Sequence, residues 1–294
     1  MSWRGYSSVP LKTSLLISIS PQNSYHTHRF FIIFAYIIKK VTPSMNKKLK
    51  LALLLFLLGF AGILSTLTVY ATVLGDEQSI YSDFASLWNS NWIYLVFPTI
   101  NLVIALAVGT LLYDKVNLRV PLLERLIDSK QKTEIKGILP YGIVGGLVSG
   151  VLITIIIIAF APTLPPNLLE SITSSTVGIL PRVLNGAITG EILHRFGFMT
   201  LLVWLGYMMS GKLTPNTYWT AIIVSALLFG AGQLTPALIL GGTPSASLLF
   251  YHLFVSATSV TIYSWLYWKK GLEAAIIAHV VANVILVYAP GVVV

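Results

Sequence analysis

The chain has 294 residues, of which 55% are hydrophobic and only 10% charged, with a net charge of +9 and no cysteine. A soluble domain is typically about 25% charged, so water is excluded as the main solvent. The absence of cysteine excludes disulfides, thiolate metal sites and a cysteine nucleophile.

The first 44 residues read unlike the rest and are expected to be a poorly structured or interfacial extension. Phe30–Ile38 is apolar but too short to cross a bilayer, and no cleavable signal peptide is evident. Met45 opens a stretch with Lys47, Lys48 and Lys50 ahead of a long apolar run, which reads as the start of a membrane protein. A crossing helix needs roughly 20 apolar residues. The candidates in chain order are Leu49–Leu74, Ile93–Tyr113, Ile138–Ala161, Ile179–Ser210, Tyr218–Leu234, Leu248–Trp268 and Leu272–Val294. The expected fold is therefore an all-α integral membrane protein, a polytopic bundle of about seven transmembrane helices. Residues 45–137 hold the first two spans and a linker, and residues 138–294 a helical core. The fourth candidate exceeds the length one crossing requires, so tilting, kinking or projection is expected there, with Gly186, Gly190 and Gly197 as points of yielding.

The charges order these spans. Lys47, Lys48 and Lys50 precede the first. Lys115, Arg119, Arg125, Lys130, Lys132 and Lys136 lie between the second and third. Lys212 follows the fourth, and Lys269 and Lys270 separate the sixth from the seventh. With alternating crossings all fall on one side, whereas the opposite loops carry Asp76, Glu77, Asp83 and Glu170 and no Lys or Arg. Positive charge marks the cytoplasmic face. The expected location is the cell membrane, with residue 45 cytoplasmic and the C-terminus outside. This distribution also argues against nucleic acid as a partner, because the basic residues sit in loops between apolar runs. The linker Val116–Lys136 is too charged to insert. Its leucines recur at helical spacing, which fits a surface-lying helix or an ordinary solvated linker.

Three spans carry polar groups at membrane depth, where an ionisable residue is a functional-site candidate by default. The fourth has Glu191, His194 and Arg195, the fifth Gln233 four residues after Phe229, and the seventh His279 and Asn283. Residues four apart share a helix face, so three polar turns are available to line one cavity. Structural roles compete with this reading. Glu191 and Arg195 can neutralise each other, and Gln233 can tie helices by a hydrogen bond. His252 reads as a lone hydrogen-bonding histidine, and Arg182 as a residue reaching toward the outer interface.

The runs Gly190-Glu191-Ile192-Leu193-His194-Arg195, Phe229-Gly-Ala-Gly-Gln233 and His279-Val-Val-Ala-Asn283 resemble the CPBP family of intramembrane proteases. That family includes the CAAX prenyl proteases and bacteriocin-processing relatives. The family pattern is Glu-Glu-x-x-x-Arg, Phe-x-x-x-His and His-x-x-x-Asn on successive core helices, and the resemblance spans roughly Ile138 to Tyr288. It implies peptide-bond hydrolysis within the membrane on a membrane-anchored or prenylated peptide. In the family the first Glu activates water, while histidines and the Asn position that water and stabilise the oxyanion. Glu191, Arg195, His279 and Asn283 match the pattern; Gly190 and Gln233 stand where it has Glu and His.

Glycine offers no base, and glutamine does not titrate. On an α-helix a one-residue shift turns a side chain by about 100°, so Glu191 replaces the absent base only if the helix is locally rewound. His194 at i,i+3 from Glu191, together with His279, is the one constellation that would rescue activity. No cofactor is expected, and a divalent metal would depend on the few His, Asp and Glu residues present. Three functions compete: a peptidase of reduced or lost activity, a non-catalytic binder of a membrane peptide or partner such as an immunity or regulatory factor, and a small transporter. No pair of short, interrupted helices in matching halves supports transport.

Overall fold

The structure is a computed structural model that describes residues 46–73, 93–128, 135–173, 178–234 and 245–288. The N-terminal extension and the acidic loop with Asp76, Glu77 and Asp83 lie outside these residues, as do Lys130 and Lys132. Every regular element among the described residues is helical: α1 (Lys47–Val73), α2 (Ile93–Leu112), α3 (Pro121–Ile127), α4 (Ile138–Phe160), α5 (Pro166–Thr173), α6 (Ile179–Ser210), α7 (Pro215–Gly232), α8 (Ala246–Lys270) and α9 (Leu272–Tyr288).

Five helices (α1, α2, α4, α6 and α8) have the length and apolarity to cross a bilayer. The other two expected crossings correspond to α7, with 18 residues, and α9, with 17 described residues. Large apolar side chains cover the outside of the bundle, among them Phe97, Ile104, Val144, Leu147, Ile223 and Leu227. An outer surface this apolar suits hydrocarbon and would be untenable in water.

With lipid outside, apolar surface gives little drive for one helix to seek another, and close packing through small residues takes over. Gly142, Gly146 and Gly150 form a stripe on α4 that receives α9. A Cβ on Gly146 would stand 2.5 Å from the Val281 Cβ and 2.6 Å from the Ala278 carbonyl oxygen. Gly62 on α1 does the same for α6, where a Cβ would come within 2.3 Å of the Leu184 carbonyl oxygen. Thr189 secures that contact by donating its hydroxyl to the Gly59 carbonyl at 2.8 Å.

The long fourth candidate is one continuous helix with two wide turns. Arg182–Thr189 and Ile192–Met199 are π-helical, with i→i+5 bonding such as Gly190 N–H to the Asn185 carbonyl. This is the local rewinding that the sequence required before Glu191 could change its bearing, and π-turns concentrate at functional sites.

The charged linker is built into the fold. Leu118 and Val120 are fully buried, and α3 is held by α9: Glu273 Oε1 accepts from the amides of Leu122 and Leu123 at 2.9 and 3.0 Å. The Leu272 amide donates to the Arg119 carbonyl at 3.1 Å. A carboxylate thus caps the short helix while its N-terminal flank enters the core.

Candidate active site

Glu191 sits between the two π-turns of α6 with no exposed surface. Its Oε1 accepts a hydrogen bond from His279 Nδ1 at 2.7 Å. Its Oε2 lies 3.1 Å from Arg195 Nε in an ion pair, and neither atom has a hydrogen-bond partner among the described residues. Arg195 reaches the Ser259 carbonyl through Nη2 at 3.4 Å and places its guanidinium 5.5 Å from the centre of the Tyr263 ring. His279 stacks on the same ring, centroid to centroid 4.8 Å. The Tyr263 hydroxyl is in turn 3.1 Å from Ser149 Oγ. One aromatic ring of α8 thus supports both partners of the carboxylate.

The remaining polar groups are also engaged. Asn283 donates through Nδ2 to the Arg182 carbonyl at 3.0 Å, tying α9 to the first π-turn. His194 donates from Nδ1 to the Gly190 carbonyl at 2.8 Å and meets Phe229 edge-on at 4.7 Å. Gln233 follows the last turn of α7, its amide bonded to the Phe229 carbonyl at 3.1 Å. Arg182 is partly buried.

Glu191, Gln233, His279 and Asn283 all line one cavity of about 490 Å³, together with Gly186, Gly190, His194, Arg195 and Phe229. The volume falls in the range of small-ligand sites. A second cavity of about 410 Å³ adjoins it through His194, Arg195, Phe229 and Gln233. The three polar turns singled out from the sequence therefore meet. Other contributors were not singled out as site residues. Asn185, Tyr251 and Tyr263 enter the wall through positions with no charge to mark them. His252 lines it as well, with a buried Nε2 that has no hydrogen-bond partner among the described residues.

Gly190 leaves part of this wall bare. A Cβ placed there would have as its nearest neighbour the Asn185 carbonyl oxygen at 3.6 Å, an ordinary contact, and Gly186 is similarly open. Among the described residues no group of three or more His, Asp or Glu is placed to hold a metal ion.

The bundle and its cavity define a polytopic helical membrane protein with a polar chamber at the depth of its spans. Residues 172–285 match the family model for the Type II CAAX prenyl endopeptidase Rce1-like proteins, and that segment holds all three motifs. Over that segment the chain is similar to the CPBP intramembrane proteases that its motifs resemble. No curated protein and no solved structure matches the chain.

Proposed function

We propose that this chain is a CAAX-protease-like protein of the cell membrane that retains the family's peptide-binding cavity and has lost its hydrolysis. In this reading seven helices cross the bilayer, the basic loops face the cytoplasm, and the cavity accepts a segment of a membrane-anchored peptide. The carrying observation is the contrast between two adjacent residues. Gly190 faces the cavity with room for a side chain and none present. Glu191 borders the same cavity but has no exposed surface, its oxygens turned to His279 and Arg195. A general base must reach the proton it removes, directly or through one water. Glu191 is already committed to holding two helices together. The wide turns of α6 favour a second reading, in which Glu191 swings into the cavity beside His194 and cleaves at low rate.

The experiment uses purified full-length protein in bilayer discs with a membrane-anchored, prenylated test peptide. The parent, Gly190→Glu, Gln233→His and the double variant are compared. Cleavage by the double variant alone, with peptide binding by all four, is the expected result. Cleavage by the parent that Gly190→Ala leaves intact would overturn the proposal in favour of a rearranged base. Absence of peptide binding in the parent would remove the cavity's proposed role.

A further inference from the structure

At the lysine-bearing end of the bundle a separate cavity of about 300 Å³ is lined by Asn117, Arg119, Lys136, Lys269 and Lys270, with Trp268 beside them. It shares no lining residue with the polar chamber. We infer that this pocket binds the phosphate-bearing headgroup of an anionic lipid.

The first support is charge without compensation. The same face pairs Lys47 with Asp128 and Lys48 with Asp114. The four cations around the pocket make no ion pair among the described residues, and no carboxylate lines it. Glu273, three residues after Lys270, spends Oε1 on the amides of α3. Two of the lysines complement the C-terminal end of α8; that accounts for Lys269 and Lys270 but not for Arg119 and Lys136 brought to the same hollow.

The second support is a backbone shaped for the purpose. Four described residues have positive φ, and three of them surround this pocket: Asn117 at 54°, Gly137 at 90° and Gly271 at 102°. Asn117, which caps the short helix after α2, is the one non-glycine among them, and asparagine is among the few side-chain-bearing residues that adopt this conformation readily. At Gly271 a Cβ would also strike the Pro121 ring at 2.3 Å. These turns are what draw the α2–α3 connection, the start of α4 and the α8–α9 junction around a common hollow.

The third support fixes the source of the anion. Lys269 lies 3.4 Å over the Trp268 ring and Lys270 4.1 Å over Tyr141. Trp268 stacks on Tyr218 at 4.5 Å, with Trp219 edge-on. Aromatic residues of this kind mark the headgroup level of a bilayer, and basic pockets between helices at that level suit phosphate-bearing lipids. The cations are held against ring faces, which orients them without neutralising them.

Full-length protein is reconstituted in discs of phosphatidylcholine with a minor fraction of phosphatidylglycerol, and retained lipids are counted by native mass spectrometry. The parent should retain phosphatidylglycerol selectively. Lys136→Gln/Lys270→Gln and Arg119→Gln/Lys269→Gln, two independent pairs, should each lower that retention by about tenfold or more. Lys115→Gln/Lys212→Gln, which removes the same charge from the same end outside the pocket, should leave it unchanged. Equal loss in this last pair would reduce the effect to diffuse surface charge and overturn the site. Selection of phosphatidylglycerol no better than of phosphatidylcholine would do the same. Displacement of the lipid by millimolar inorganic phosphate would reassign the pocket to a free anion.

Discussion

Glu191 Oε1 and His279 Nδ1 meet at 2.7 Å although 88 residues separate them, and this bond joins α6 to α9 inside the membrane. On its other side the same carboxylate holds Arg195, whose side chain is only 5% exposed. Breaking a buried pair by removing one partner leaves an uncompensated charge and costs about 3–5 kcal/mol. Glu191→Gln is therefore expected to lower the thermal midpoint strongly in detergent or discs. Glu191→Gln/Arg195→Met, which removes both charges, should recover most of that loss. A midpoint for Glu191→Gln close to the parent's would show that the pair does not hold the helices. The consequence for enzymology is direct: lost activity in a Glu191 variant is interpretable only beside its stability.

Gly190 and Gly146 make a matched contrast. Gly190→Ala adds a methyl that meets only an ordinary contact at 3.6 Å, and removing glycine from a helix interior stabilises it by roughly 0.5–1 kcal/mol. Its thermal midpoint should equal or slightly exceed the parent's. Gly146→Ala drives its methyl to 2.5 Å from Val281 and 2.6 Å from a backbone oxygen, so α4 and α9 must separate. Overpacking of this kind costs typically about 1–3 kcal/mol. Unfolding curves of the two variants, run side by side, check the sign of each.

The helices were legible because a membrane span is a long apolar run, and their positions agree with the sequence reading to within a few residues at most described ends. The polar chamber was legible for a related reason: charge at membrane depth is expensive enough to be conspicuous, as with Glu191, Arg195 and His279. What escaped notice was uncharged or conformational. Tyr263 carries His279 and Arg195 on its ring, yet a tyrosine in an apolar helix gives no signal. Two π-helical stretches of α6 flank Glu191, and only excess length and scattered glycines hinted at them. The docking of the linker's start was not legible because its charges report solvent contact, while its buried residues Leu118 and Val120 are too few to show an apolar period.

Phe229 stands between the two adjoining cavities, edge-on to His194. Phe229→Ala is expected to merge them and to admit bulkier groups. With the peptide-binding assay above, a probe carrying a longer isoprenoid should gain affinity relative to a shorter one. Identical preference in parent and variant would show that Phe229 does not partition the chamber. Phe229→Leu, which keeps an apolar side chain there, should give an intermediate preference and so separates loss of the barrier from general loosening.

Glu273 opens α9, but its carboxylate serves α3. Oε1 accepts from two amides, those of Leu122 and Leu123, which stand at the start of a helix only seven residues long. Such a helix is too short to persist alone, so its order depends on that cap and on the burial of Leu118 and Val120. Glu273→Ala removes both bonds at once, and a charge-assisted bond is worth about 1.5–3 kcal/mol. The chain has no cysteine, so Leu123→Cys introduces a single reporter on the partly buried side of α3. Maleimide should label it slowly in the otherwise parental protein and several-fold faster when Glu273→Ala is added. Glu273→Gln retains an acceptor oxygen and should restore much of the protection. Equal labelling in all three would mean that α3 is held by its apolar flanks alone, and that the carboxylate at the head of α9 does no docking.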